Sequence, residues 1–287
     1  MLLTTPPNTT TPEVNRNALR TLLLDSLTAG TVRWDYRFTS LEPAQGSWQL
    51  HFADRPTATA DVVIGTNGGR SRARKYVTDA EIAYTGTFII QGDVPEPALT
   101  CPDFYRLCQH NILMTASDGI TLAANPNNAG ALSYGITFRR PASWLADHRL
   151  DFTDLSATSA LLTTLVARWT PIYQQLFRAT TTFVGLPARK LPLDHPWHAQ
   201  RPLPITLIGD AAHLMPPFAG VGVNIGLQDA QILAANLTSS AFLSLAAAIQ
   251  DYKQQMLGYA QAAQLTTSQN ELVMHQPDFS FQQRFGR

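Results

Sequence analysis

The residues best suited to chemistry lie in one stretch, 208–224, which reads Ile-Gly-Asp-Ala-Ala-His-Leu-Met-Pro-Pro-Phe-Ala-Gly-Val-Gly-Val-Asn. A buried-type strand, 205–209, ends at Gly209, where the absence of a Cβ lets another group approach the backbone. Asp210 follows at the carboxyl edge of the implied sheet, the usual ligand crevice of open α/β folds. A carboxylate there can accept hydrogen bonds from a polyol chain. Pro216 and Pro217 stiffen the loop, and Gly220 and Gly222 permit unusual dihedrals and close backbone approach. A helix starts at about Val223 and Asn224, and its free N–H groups and positive dipole end favour negative charge on a planar ligand. The segment from Gly220 to Gly226 is G-x-G-x-x-x-G, not G-x-G-x-x-G, and it does not directly follow a strand. It is therefore not read as a dinucleotide phosphate loop.

Weaker candidates surround it. His213, near Asp210, could form an acid–base pair, but a structural histidine is the simpler reading. Arg70, Arg72, Arg74 and Lys75 could bind phosphate, although such runs more often form a solvated helix start. Cys101 and Cys108 read as unpaired thiols, and without a nearby histidine cluster they cannot complete a zinc site.

The elements that must position these residues follow from periodicity. Residues 15–28 predict a helix with Leu19, Leu22, Leu23 and Leu27 on one face, ended by Gly30. Residues 48–52 alternate like a half-buried strand, whereas 61–65 (Asp-Val-Val-Ile-Gly) reads as a strand buried on both faces. From 84 to 140 the pattern is that of an antiparallel sheet, with strands at 87–90, 112–116, 121–124 and 131–138. Turn formers separate them, notably Asn125-Pro126-Asn127-Asn128. Helices are predicted at 157–169, 223–237 and 243–265. In the last, Ile249, Tyr252, Met256, Tyr259 and Ala263 form a stripe read as core packing. Two parallel-type strands, 61–65 and 205–209, thus flank a β-rich insert in an α/β chain.

Composition narrows the function. Of 287 residues 45% are hydrophobic, which excludes a disordered chain. Lys plus Arg and Asp plus Glu each number 21, leaving no basic excess for nucleic acid. The start, MLLTTPPNTTTPEV, has neither the basic nor the apolar region of a signal peptide and predicts an extended segment. No run approaches the ~18 apolar residues of a membrane span. The expectation is a cytoplasmic, metal-free monomer with a small-molecule ligand, and neither nucleic acid nor membrane as partner.

Gly209-Asp210-Ala211-Ala212-His213, with Pro216-Pro217 and the 220–224 segment, resembles the second flavin-binding motif of single-component FAD-dependent aromatic hydroxylases. The 61–74 segment, with Asn67-Gly68-Gly69-Arg70-Ser71 and Arg74, resembles their middle motif, and Asn15-Arg16-Asn17-Ala18-Leu19 the segment whose arginine reaches the flavin. Within that group the chain is similar to the tetracycline-inactivating flavin monooxygenases. Cys101-Pro102, Ala124-Asn125-Pro126-Asn127-Asn128, Arg201-Pro202-Leu203-Pro204-Ile205 and Gln276-Pro277-Asp278-Phe279 carry that likeness. The resemblance implies an incomplete Rossmann-like α/β FAD-binding domain, an inserted, mostly antiparallel β-sheet substrate domain and a C-terminal bridging helix. The corresponding ranges are 1–80 with 181–240, 81–180, and 241–287.

The implied cofactors are FAD and NADPH. NAD(P)H reduces the flavin, O2 reacts with it, and a hydroxyl is delivered to an electron-rich carbon of a planar substrate. Asp210 holds the ribityl chain, Arg16 contacts the ring, and Asn67, Pro217, Gly220, Gly222, Val223 and Asn224 complete the cofactor site. Gln91, Met114, Asn125, Pro217, Gly220 and Met274 line the substrate pocket; no side chain is assigned a catalytic acid–base role.

Several positions depart from the family pattern. Ile112 and Ser133 stand where the tetracycline enzymes carry arginine and histidine, and Ala123 replaces an aromatic residue. Val221 replaces glutamine, and Asn67 stands where aspartate is common. Nothing before Asn15 resembles the strand–G-x-G-x-x-G–helix unit that binds the FAD pyrophosphate. The resemblance therefore implies a chain truncated at its amino terminus and impaired alone, with completion by a separately encoded N-terminal fragment as a further alternative. The main alternative is a non-catalytic protein that sequesters a planar ligand.

Overall fold

The computed structural model describes residues 3–5, 14–144, 147 and 150–285. In chain order the strands are β1 (Leu3–Thr5), β2 (Phe38–Ala44), β3 (Ser47–Phe52), β4 (Arg55–Ala60), β5 (Val63–Gly65), β6 (Ala83–Pro95), β7 (Ile112–Ser117), β8 (Ile120–Asn128), β9 (Ala131–Arg139), β10 (Thr182–Lys190) and β11 (Ile205–Leu207). The longer helices are α1 (Arg16–Asp25), α2 (Pro102–Cys108), α3 (Leu155–Leu165), α4 (Ile172–Ala179), α5 (Gly222–Thr238), α6 (Leu245–Met274) and α7 (Phe281–Phe285). Single helical turns form at Pro97–Thr100 and Asp210–His213.

Two compact units result. One combines the described residues up to Leu27 with Thr85–Ala188 and those from Glu271 on; the other combines Thr28–Tyr84 with Arg189–Asn270. These divisions fall elsewhere than the sequence ranges. Helix α1 belongs with the large sheet, and most of α6 belongs with the β5/β11 unit, because its apolar stripe packs there. The fold class stands: a mixed α/β chain with an antiparallel sheet and a long C-terminal helix.

The first unit is built on a six-stranded sheet ordered β1-β7-β8-β9-β6-β10. One face buries Ile90, Val94, Leu113, Leu122, Leu132 and Ile136 against Phe104, Leu162, Leu176 and Phe177 of α2–α4. Each such side chain contributes about 2 kcal/mol of hydrophobic stabilisation. Of the predicted extended N-terminal segment, Leu3–Thr5 pairs antiparallel with β7, and most of the remainder lies outside the described residues.

Three sequence expectations change in this unit. Asn125-Pro126-Asn127-Asn128 is not the turn, because β8 runs through it with a bulge between Asn125 and Asn128. Asn125 Oδ1 accepts from the Asn127 N–H at 2.9 Å, which absorbs the irregularity. The chain reverses at Ala129 (φ 50°) and Gly130 (φ 89°), the positive dihedrals a two-residue hairpin needs. The helix expected at 157–169 runs over Leu155–Leu165, opened by Asp154, whose Oδ1 accepts from Ala157 N–H. Pro171 is the N-cap of α4, a helix that periodicity missed along with β10. Helix α1 is amphipathic as read but buries none of its residues; Leu22 is 65% exposed.

The second unit holds the antiparallel meander β2-β3-β4 and the parallel pair β11-β5. Its core joins Trp48, Val63, Val77, Ile205, Leu207, Leu233, Ile249, Tyr252 and Met256. Trp48 is 1% exposed, and its indole N–H donates to Pro204 O at 2.8 Å. The 61–65 strand is shorter than read and buried mainly on one face, since Ile64 is 38% exposed. Helix α6 extends nine residues past the predicted end at 265, to Met274. Its apolar period breaks at 266–270, where Thr267 and Asn270 bond loop carbonyls.

Candidate functional site

Strands β5 and β11 pair in parallel register, Val63 with Ile205 and Gly65 with Leu207, so their carboxyl ends share one edge. Gly65 permits this closeness, as a Cβ there would lie 2.7 Å from Leu207 Cδ2. Beyond β11, Gly209 takes φ 58° and ψ −145°, a region essentially restricted to glycine. Gly226 of α5 packs beside it; a Cβ on Gly226 would lie 3.6 Å from Gly209 Cα. Asp210 opens the single helical turn, with its carboxylate exposed at this edge. Asn67, in the loop after β5, is exposed and accepts from Ser71 Oγ at 2.5 Å.

Arg74 ties the two strand-end loops together. Its Nε donates to Ala211 O at 3.0 Å, and its Nη2 to Asp210 O at 3.2 Å and Gly68 O at 3.5 Å. The side chain is 7% exposed, and burial lowers its pKa against the opposing charge of Asp210. Arg74 thus leaves the basic cluster of the sequence reading, whereas Arg70, Arg72 and Lys75 are exposed.

The loop from Leu214 to Ala219 is pinned by the polar end of α6. Gln264 donates to Leu191 O and Leu214 O, Thr267 Oγ1 donates to Pro216 O and accepts from Ala219 N–H, and Asn270 donates to Phe218 O. Gly220 follows at φ 69°, and α5 begins at Gly222 with no side-chain cap, so the amides of Gly222, Val223 and Asn224 head the helix dipole. Cβ atoms built on Gly209, Gly220 and Gly222 would meet nothing within 4 Å.

Asp229, which sequence reading missed, lies behind this edge with 0% exposure. Its Oδ2 accepts from the Gly209 N–H at 2.7 Å and lies 2.6 Å from His213 Nε2, and Oδ1 accepts from the Tyr259 hydroxyl. His213 is buried and paired with Asp229, not Asp210. Burial, then the Asp229 contact, pushes the Tyr259 phenol well above its ordinary range, and Tyr252, which donates to Leu207 O, is raised by burial as well. The stripe read as core packing therefore carries two hydroxyls with specific acceptors.

The sheet unit carries a cleft of about 520 Å³. Its floor follows from register: Gln91 pairs with Gly135 and Asp93 with Ser133 across β6 and β9, and Ala123 and Asn125 of β8 oppose the same two residues. Period-two alternation puts these side chains on one face, opposite the core. Arg16, at the start of α1, and Ile112 complete the wall. Ser133 Oγ donates to Asp93 Oδ1 and accepts from Asn128 Nδ2, each at 2.6 Å. Among the expected substrate residues, Gln91 and Asn125 line this cleft. Met114 pairs with Ala123 and so shares its face, and Met274 ends α6 in the same unit. Pro217 and Gly220 belong to the other unit, as do all the expected cofactor residues except Arg16.

The donor set fits the ring and polyol portions of a flavin: open glycine backbone and an uncapped helix start for an electron-rich ring, and an exposed carboxylate for hydroxyls. Among the described residues the pyrophosphate-binding turn G-x-G-x-x-G has no counterpart.

Residues 195–263 match the family model described as FAD binding domain, which spans β11, the Asp210 turn, α5 and much of α6. Monooxygenase penA of Penicillium thymicola is 27% identical over 79% of this chain and 62% of its own length. A 6-hydroxynicotinate 3-monooxygenase of Bordetella bronchiseptica is 25% identical over 93% of this chain and 68% of its own. The chain thus spans between three fifths and about two thirds of the length of these relatives. In fold it is similar to Klebsiella pneumoniae HpxO, solved with FAD and uric acid (TM-score 0.73, 23% identity, 92% of this chain and 64% of that one). It is likewise similar to tetracycline destructase Tet(51) (TM-score 0.67, 19% identity, 90% and 68%). The chain is thus similar, over most of its length, to FAD-dependent monooxygenases, and its 195–263 segment to their FAD-binding domain. No helix among the described residues is long and apolar enough to cross a membrane.

Proposed function

We propose that the chain forms the flavin-ring and substrate portions of an FAD-dependent monooxygenase that hydroxylates a planar aromatic or polycyclic, tetracycline-like molecule at the expense of NAD(P)H and O2. The observation that carries this reading is the open glycine cradle at the uncapped start of α5, beside the exposed Asp210, within the stretch matched by the FAD-binding model. Bound FAD supplies the redox and oxygen chemistry that side chains lack.

The residues of the chain do the rest. Asp210 accepts hydrogen bonds from the ribityl hydroxyls, and the amides of Gly222, Val223 and Asn224 stabilise negative charge on the reduced ring. Gln264, Thr267 and Asn270 hold the loop so that this alignment needs no reorganisation. In the cleft, Gln91, Asn125 and Arg16 orient the substrate, while Ile112 and Ala123 give it an apolar wall. That wall lowers the fit for strongly polar ligand edges, so the preferred polycycle is less polar than tetracycline itself.

Flavin fluorescence titration of the purified chain tests the reading. Saturable quenching that Asp210→Ala weakens is expected, together with substrate-stimulated NAD(P)H oxidation and a product one oxygen atom heavier. No saturation with millimolar flavin would overturn it. A second reading, sequestration of a planar ligand, is favoured by one observation: the cleft is complete within the sheet unit. Tight ligand binding that is indifferent to flavin and unaccompanied by NAD(P)H oxidation would select it.

A further inference from the structure

We infer that Asp229 is a positioning residue for the candidate flavin edge: it holds the Gly209–Asp210 turn so that the Asp210 carboxylate is presented to the cofactor. This inference rests on the flavin reading of that edge. The two oxygens of Asp229 are shared among groups from three places in the chain: the Gly209 amide after β11, His213 at the end of the following helical turn, and Tyr259 on α6. All three converge on a carboxyl group with 0% exposure, and His213 is 1% exposed.

The Gly209 amide matters most. Its φ of 58° and ψ of −145° set the direction in which Asp210 leaves the strand. Glycine reaches this region without strain, so the groups bonded around it are what select it over the other conformations open to glycine. Here Asp229 fixes the amide on one side of Gly209, while Arg74 fixes the carbonyls of Asp210 and Ala211 on the other. Asp229 lies in α5, the helix whose uncapped start is the other half of the site. The same rigid helix therefore carries the amides that face the ring and the anchor of the turn that faces the polyol. Tyr259 and His213 orient the carboxyl group, so that Oδ2 stays directed at Gly209.

A double-mutant cycle in the full chain separates positioning from a general loss of structure. The variants are Asp229→Asn, Asp210→Ala and their combination, with Tyr259→Phe as a milder perturbation that retains ring packing. Riboflavin and FAD are the probes, read by fluorescence quenching, and hydrogen exchange is followed at residues 209–213 in the flavin-free chain. If Asp229 acts through Asp210, each single variant weakens flavin by about tenfold and the double variant by little more, whereas independent effects would multiply to about a hundredfold. Tyr259→Phe should give a smaller weakening in the same direction.

Exchange at 209–213 should rise at least about tenfold in Asp229→Asn, while exchange in β6–β9 is unchanged. Multiplicative losses, or unchanged exchange at 209–213, would overturn the inference. A wild-type chain that binds neither probe defeats the proposed function. The exchange result still reports whether Asp229 holds the turn, so the two failures are distinguishable. If Asp229→Asn does not fold, Tyr259→Phe decides: unchanged flavin affinity together with unchanged exchange at 209–213 would overturn the inference.

Discussion

Replacing Arg74 by methionine separates two uses of a basic residue, a surface patch for phosphate and an internal tie between loops. Methionine retains most of the apolar stem and deletes the guanidinium. Two of its three hydrogen bonds have good lengths, 3.0 Å to Ala211 O and 3.2 Å to Asp210 O, and the third, at 3.5 Å to Gly68 O, is marginal. A charge-assisted hydrogen bond is worth roughly 1.5–3 kcal/mol, so two give about 3–6 kcal/mol. Relief of the buried cation's desolvation returns part of this, leaving an expected loss of about 3 kcal/mol. Denaturant unfolding followed by the fluorescence of Trp48 and Trp197, both in the same unit, measures it. Arg74→Lys should recover less than half, because an ammonium cannot reproduce the fork that reaches separate carbonyls. Arg70→Met and Arg72→Met, at exposed positions, should stay within about 0.5 kcal/mol. A loss below about 1 kcal/mol for Arg74→Met, or equal effects at all three arginines, would refute the internal tie.

The remaining expectations are narrower. Gly209→Ala places a Cβ in open space but forces an alanine to φ 58° and ψ −145°; a loss of about 1–3 kcal/mol and of flavin quenching is expected, by thermal melts and titration. His275 is buried beside Thr137 and the Glu271 carbonyl, and burial holds its pKa below the ordinary 6.5 despite Glu271, with Arg139 acting in the same direction as burial. The folded state then binds its proton less readily than the unfolded chain, so stability is full above about pH 6.5 and falls as the pH drops below it. Melting temperature against pH should flatten over that window in His275→Gln; an unchanged slope would refute the assignment. Cys101 and Cys108 are buried, with thiols pushed up to about 11 and about 12, so neither should react with a thiol reagent at pH 8 until the chain is unfolded. Stoichiometric labelling of the native chain within minutes would contradict this.

Much of the fold was legible because burial leaves a periodic trace. The parallel pair was found from two short β-branched runs that end in glycine, and the sheet from alternation at 87–90, 112–116, 121–124 and 131–138. The errors arise where polar side chains substitute for turn or helix signals. Asn125 through Asn128 has turn composition, yet it stays in β8, where Asn125 pairs with Ser133 and Asn128 with Ala131 and the Asn125 side chain satisfies the Asn127 amide within the bulge. Helix α6 was cut short because Thr266 to Asn270 lack apolar residues, although two of the polar ones, Thr267 and Asn270, hold carbonyls of a loop some fifty positions earlier.

The site divides along the same line. Gly209, Asp210, Gly220 and Gly222 could be identified because backbone freedom and an exposed carboxylate leave a local signature in residue type. Asp229 could not, since an aspartate in the middle of an amphipathic helix reads as solvent-facing. Period alone would have placed it inside, since it stands four residues from both Ile225 and Leu233 on the buried stripe of α5 while its neighbours Gln228 and Ala230 are exposed; its charge argued the other way. What distinguishes it is three long-range partners, none closer than sixteen positions in sequence. A buried carboxyl group is tolerable only when such partners are assembled by the fold. It follows that the visible motif rests on less visible support: the glycine that lets the chain turn at the sheet edge is held on one side by Asp229 of α5, which accepts its amide, and on the other by Arg74, which binds the carbonyls that follow.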